Sequence, residues 1–189
     1  MTNVVPSVSF SHLGIYVYDL PKMEDFYTRI LGFIPTDRGI VRGTTPIVFL
    51  SRNPEEHHQI VLAGGRTSKK TDRTVNQISL RVESLKALRR IHALVQKEPE
   101  VTNIDPVNHC VTWSVYFCDP EGNRIEIFVD SPWYVLQPLV EPLDLSLSDE
   151  EIAARTKARW EKDPSFKPLD QWKREFAAKL EAQMAETSA

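Results

Sequence analysis

The chain has 189 residues, 41% hydrophobic and 26% charged, with a formal net charge of −3. That length suits one domain of about 100–200 residues, or one domain and a tail. The charge argues against nucleic acid as a partner, since phosphate binding calls for a basic face, and no apolar run approaches the roughly 18 residues of a membrane span.

Residues 1–6 lack the basic and apolar regions of a signal peptide. Cys110 and Cys118, in no metal or redox spacing, read as reduced packing residues, so a soluble cytoplasmic protein is expected. Residues 7–18 are dominated by β-branched and apolar side chains and predict a first strand. Asp19 is placed to cap a helix and Pro21 to sit in its first turn. Met23, Phe26, Tyr27, Ile30 and Leu31 then recur at three and four, an amphipathic stripe that Gly32 ends. Short strands divided by turn residues follow at 33–35, 39–41 and 46–50, and a strand starting near His58 closes the unit as β-α-β-β-β.

Residues 63–74 read as a polar linker, with Arg66 to Lys70 as its solvated basic run. The order then repeats: a strand at 75–82, a helix around 84–97 with Leu85, Leu88, Ile91, Leu94 and Val95 on one face, weaker strands near 101–104 and 111–117, and a last strand at 124–129. Val82 follows Val17, and Leu85 follows Leu20, by 65 residues (82 − 17, 85 − 20). The same offset sets Gln77 where the first copy has His12. Asn53-Pro54-Glu55-Glu56 and Asp119-Pro120-Glu121-Gly122-Asn123 are a second repeated pair, each leading into a strand. One such unit cannot bury its own sheet face. The expectation is therefore an α+β fold, with two βαβββ repeats (about 7–63 and 75–130) forming an open, barrel-like sheet of about eight strands around a cleft. Residues 131–189 form a C-terminal extension: an extended passage from Trp133 to Leu136, a helix over about 149–162 opened by the capping box Ser148-Asp149-Glu150-Glu151, and a last helix opened by Pro168. Leu169, Trp172, Phe176 and Leu180 share a face of that helix, which is expected to pack on the barrel or on a second subunit of a homodimer.

Glu126 interrupts an apolar strand on the parity of Phe128, and a carboxylate on an interior face is costly unless it is paired or ligates a metal. An ion pair with an arginine, or a face open to water, is the alternative. His12 stands in the first strand on the parity of Gly14 and Tyr16; by itself it could be a hydrogen-bonded packing residue. With Gln77 at the equivalent place, it completes a His, amide and carboxylate set that suits a divalent ion with open positions. A turn centred on Glu121 puts Tyr116 and Glu126 opposite one another on the same face, although Tyr116 could equally be core. His57 is taken as the exposed neighbour of His58, His92 as surface, and His109 as either a loop histidine or a site residue.

The two-copy plan, with Ser-His-Leu-Gly at 11–14 and Asp-Pro-Glu-Gly-Asn-Arg-Ile-Glu at 119–126, resembles the vicinal oxygen chelate superfamily over about residues 7–130. That superfamily holds glyoxalase I, fosfomycin-resistance, bleomycin-binding and type I extradiol dioxygenase proteins, and the chain looks most like the extradiol dioxygenases. The resemblance implies metal ligands at His12, Gln77 and Glu126, with Gln77 standing where those enzymes have a histidine. It implies Fe(II), with Mn(II) or Zn(II) as alternatives, an acid–base role for His58, and substrate-oxygen contacts from His109 and Tyr116. The implied partners are molecular oxygen and a catechol-like aromatic, with Phe10, Phe49, Trp113, Trp133 and Tyr134 as candidate pocket walls. A glyoxalase-like metal-dependent lyase or isomerase and a metal-free aromatic-binding protein stay open beside this reading.

Overall fold

The first repeat folds, in a computed structural model that describes residues 8–68 and 75–188, as β1 (Leu13–Val17), α1 (Leu20–Arg29), β2 (Ile34–Val41), β3 (Thr45–Ser51) and β4 (Ile60–Gly64). Asp19 caps α1 by accepting the Lys22 N–H at 3.1 Å, and Met23, Phe26 and Tyr27 are its buried stripe. Gly32, at φ +70°, turns the chain out of the helix through the left-handed region that a side chain resists. The expected strands at 33–35 and 39–41 are one strand, because a bulge between Pro35 and Asp37 absorbs the break. The sheet runs β1-β4-β3-β2, with β1 parallel to β4.

The second repeat copies this plan as β5 (Ile78–Arg81), α2 (Leu85–Val95), β6 (Thr102–Asn108), β7 (Thr112–Cys118) and β8 (Arg124–Asp130). Ser84 caps α2 through the Ala87 N–H at 3.1 Å, and β5 lies parallel to β8 as β1 does to β4. The strands open at Leu13 and Ile78, so the offset of 65 (78 − 13) survives in three dimensions. His12 and Gln77 each stand one residue ahead of these strands and not within them. The sheet order is β10-β6-β7-β8-β5, where β10 (Glu141–Pro142) is added by the tail. The result is the expected α+β architecture, two main sheets without barrel closure.

One hydrophobic core draws on both repeats, and Phe26 of α1 meets Phe117 of β7 edge to face at 6.5 Å. The β7–β8 turn makes the other joint. Asp119 folds the turn by accepting the N–H groups of Glu121 and Asn123 (3.0 and 2.9 Å), while the Glu121 carboxylate takes the N–H groups of Tyr18 and Asp19 just ahead of α1 (2.9 and 2.7 Å). Arg66 stands 3.4 Å from that carboxylate with its side chain only 9% exposed. It therefore belongs to this joint and not to a solvated linker; Lys69 and Lys70 lie outside the described residues.

The tail adds β9 (Trp133–Tyr134), α3 (Asp149–Trp160), β11 (Lys167–Pro168) and α4 (Leu169–Ser188). Ser148 and Glu151 form the capping box of α3. Thr156 of α3 accepts Trp113 Nε1 and Asn108 Nδ2, each at 2.9 Å, which seats α3 on the second repeat. On α4, Trp172 stacks on Tyr134 at 5.2 Å and Phe176 on Trp172 at 5.3 Å, with Phe176 and Leu180 exposed.

Candidate functional site

Strand alternation and register build one half of the site. Ser79 of β5 pairs with Glu126 of β8, Glu126 with Tyr116 of β7, and Tyr116 with Asp105 of β6, so one row of side chains crosses the sheet on a single face. The opposite face carries Val115, Phe117, Ile125 and Ile127, all buried in the core. Tyr116 thus faces Glu126 as the turn spacing predicts. Trp113 falls on the core face, bonded to Thr156, and is no pocket wall.

Glu126 is 7% exposed and accepts four hydrogen bonds. Gln77 Nε2 (2.8 Å) and Ser79 Oγ (2.6 Å) donate to Oε2, and Ser114 Oγ (2.9 Å) and Tyr116 Oη (2.7 Å) donate to Oε1. These fill the roughly four lone-pair sites of a carboxylate with neutral donors, which lets an anion sit in a strand interior without an arginine. Tyr116 in turn meets His109 Nε2 at 3.0 Å, while His109 Nδ1 donates to the Leu139 carbonyl, so a chain runs from His109 through Tyr116 to Glu126. Burial first, and then the Glu126 hydrogen bond, push the Tyr116 hydroxyl well above the ordinary phenol range. It therefore stays protonated and acts as a donor.

The histidines of the first repeat form the other half. His57 and His58 lie in the loop before β4 and not in the strand, so strand parity does not separate them. Their Nδ1 atoms are 2.9 Å apart, His57 Nε2 meets Asp37 Oδ2 at 2.8 Å, and the His12 ring lies 4.2 Å from that of His58. The proton placement follows from the partners. A carboxylate only accepts, so His57 Nε2 carries a hydrogen; in the arrangement with both rings unprotonated at their second nitrogen, His57 accepts at Nδ1 and His58 donates from its own Nδ1. That leaves His58 Nε2 with a free lone pair. Burial, then the neighbouring His12 and His57, hold the His58 imidazole below its ordinary range. Phe49 flanks both rings, 5.7 Å from His57 and 5.0 Å from His58.

Of the six site residues read from the sequence, the structure joins Gln77, Tyr116, His109 and Glu126 in one network, and His12 with His58 in another. His12 bonds Ser11 at 3.3 Å and faces His58, and among the described residues no hydrogen bond or ion pair links it to Gln77 or Glu126. Nor do three His, Cys, Asp or Glu side chains among the described residues gather around one point. The fit to a divalent ion is therefore carried by Glu126 and Gln77. Their polar atoms meet at 2.8 Å in a hydrogen bond, so the two side chains reach one place. A half-turn of the Gln77 amide presents its oxygen in place of its N–H. A cleft of about 830 Å³ opens beside this network, with Phe10, Ser11, Glu56, Gln77, Ser79 and Arg81 in its wall, but without Glu126 or Tyr116. Trp133 and Tyr134 stack on Phe166 and Trp172 within the tail, away from that wall. Ser79, Ser114, Asp37 and His57 were missed as site residues. The first two could have been found two residues from Gln77 and Tyr116, on the same parity.

A family model described as the Glyoxalase/Bleomycin resistance protein/Dioxygenase superfamily matches residues 9–127. Among curated proteins, biphenyl-2,3-diol 1,2-dioxygenase 3 of Rhodococcus globerulus is 28% identical over 130 residues, covering 64% of this chain and 63% of its own length. The chain thus spans less than two thirds of that relative. The solved structure of Leishmania major glyoxalase I is 28% identical with a TM-score of 0.53, covering 65% of this chain and 87% of that one. A glyoxylase/bleomycin resistance protein/dioxygenase domain from Frankia sp. EAN1pec shares the fold at 23% identity, with a TM-score of 0.57, over 66% of this chain and 99% of that one.

Proposed function

The chain belongs to the glyoxalase/bleomycin resistance protein/dioxygenase superfamily, and within it we propose a metal-dependent, extradiol-type dioxygenase that cleaves a catechol-like ring with molecular oxygen. The observation that carries this reading is the unbroken chain from His109 through Tyr116 to Glu126, which sets a phenol and an imidazole beside a carboxylate able to ligate. The Rhodococcus relative, by its name a dioxygenase of an aromatic diol, supports the same substrate class. Glu126 and Gln77 would hold the ion, with His12 as third ligand once its ring leaves that of His58, and with Fe(II) first and Mn(II) or Zn(II) as alternatives. When bound, the ion supplies a Lewis acid that eases deprotonation of the diol and draws the two reactants to one centre.

The protein's own groups do the rest. His58, with Nε2 unprotonated, is equipped to take a proton from a substrate hydroxyl and return it later. Tyr116 would contact a substrate oxygen by turning its one proton from Glu126, with His109 beside it, and Phe10 stands in the cleft wall. A glyoxalase-like lyase would call for a carboxylate on the strand closing the first repeat, and β4 reads Ile-Val-Leu-Ala-Gly. A metal-free aromatic-binding protein is favoured by one observation, the complete satisfaction of Glu126 by four neutral donors. The test is oxygen uptake by protein reconstituted anaerobically with Fe(II) or Mn(II) and then mixed with a catechol panel in air. A yellow ring-cleavage product supports the proposal. A protein that binds no metal, or consumes no oxygen with any catechol, removes it.

A further inference from the structure

Among the described residues three arginines lie over aromatic rings, and they are not alike. Arg81 stacks on Phe128 at 4.9 Å and meets Asp130 at 3.4 Å; Arg159 stacks on Trp160 at 5.7 Å and meets Glu141 at 2.7 Å. Arg124 lies over the Tyr116 ring at 4.3 Å, and among the described residues it has no hydrogen bond or ion pair. It is half-buried, two residues before Glu126 on the same strand face. Asp105, also on that face across Tyr116, is exposed and does not pair with it. A half-buried guanidinium over a ring face, with no anion paired to it, keeps its charge available to a ligand. Its Cζ lies over the ring, and the N–H groups of a guanidinium form a fork that matches a carboxylate in two parallel hydrogen bonds.

We infer that the site selects an aromatic diol bearing a carboxylate, and that Arg124 recognises that carboxylate. Tyr116 links the two ends: its hydroxyl is 2.7 Å from Glu126 while its ring underlies Arg124. A ligand whose hydroxyls meet the Glu126 end would reach toward Arg124 over the Tyr116 ring, beyond the wall of the cleft, which includes neither residue. The inference rests on the catechol reading of the site for its ring and hydroxyls, but the anion preference can be measured without turnover.

The experiment measures binding to the full-length, Fe(II)-reconstituted protein under nitrogen, by calorimetry, for 3,4-dihydroxybenzoate and its neutral isostere 3,4-dihydroxybenzamide. The acid is expected to bind about ten- to a hundredfold more tightly, the worth of one charge-assisted pair. Arg124→Met should erase that difference and leave the amide's affinity unchanged; Arg124→Lys, which keeps the charge and loses the fork, should restore part of it. Equal affinity for acid and amide in the wild type overturns the inference. So does an equal loss for both ligands in Arg124→Met, or no binding of either one. An Arg124-dependent acid preference without oxygen uptake in air would leave this inference standing and remove the dioxygenase. Oxygen uptake with an acid-to-amide ratio indifferent to Arg124 would do the reverse.

Discussion

Glu121→Ala tests whether the β7–β8 turn locks the two repeats together. The Glu121 side chain has no exposed surface; it accepts the N–H groups of Tyr18 and Asp19 at 2.9 and 2.7 Å and faces Arg66 at 3.4 Å. Leaving a buried backbone donor without an acceptor costs about 1–3 kcal/mol, and removing one member of a buried ion pair about 3–5 kcal/mol. These terms overlap, because water entering the vacated space serves several donors at once. The expected loss is about 4 kcal/mol, against a total stability of roughly 5–15 kcal/mol for a folded domain. Glu121→Gln keeps an acceptor for the N–H groups and should lose about half as much. The assay is urea unfolding followed by circular dichroism. With a slope near 2 kcal/mol per molar, the alanine variant should unfold about 2 M earlier at an unchanged slope. A midpoint within about 0.5 M of wild type would show that the turn does not carry the joint.

At the site, Glu126→Ala should weaken divalent-metal binding by more than about 100-fold, beyond what loss of a merely supporting partner brings; metal analysis after equilibrium dialysis reads this. Long-range proton–nitrogen NMR should show neutral His58 protonated on Nδ1, and Asp37→Ala should move it toward the Nε2 form, because His57 is then free to turn. An unchanged pattern would separate Asp37 from the histidine pair. Burial raises the Cys110 thiol to about 11, so at pH 8 only about one molecule in a thousand holds a thiolate, against roughly a quarter for an ordinary thiol. Iodoacetamide should label it only as the protein unfolds, and rapid native labelling would contradict the burial.

Much of this was legible in the sequence because it follows from local rules and one repeat. Period-3.6 stripes give α1 and α2, Asp19 and Ser84 announce their starts, and a turn centred on Glu121 fixes the Tyr116–Glu126 pairing. What stayed hidden depends on contacts distant in the chain. Arg66 reads as linker because nothing near it in sequence shows the Glu121 carboxylate 55 residues on (121 − 66). Trp113 reads as a pocket wall because its partner, Thr156, belongs to a helix whose docking has no local signature. His12 and His58 read as strand residues because the apolar pattern runs on past the point where the ladder stops. Freed from the pleat, His57 and His58 could turn toward each other.

Two copies of one turn have taken separate tasks, and this divides the molecule's chemistry. In the second copy Asp119 folds the turn on itself and Glu121 reaches across to α1, at a joint apart from the Glu126 network. In the first copy Asn53 accepts the Glu55 N–H at 3.1 Å, and the Glu56 carboxylate takes the Ser11 hydroxyl at 3.0 Å, beside His12. The first turn therefore steadies a loop that carries histidines, and the second steadies the fold. The carboxylate half-site is held by a four-strand row, where a side chain cannot shift without disturbing the ladder. The histidine half-site hangs on loop backbone, which can move at little cost to the core. Changes at Ser114, Tyr116 or Glu126 should thus alter stability and activity together, while changes at His57 or His58 should alter activity alone.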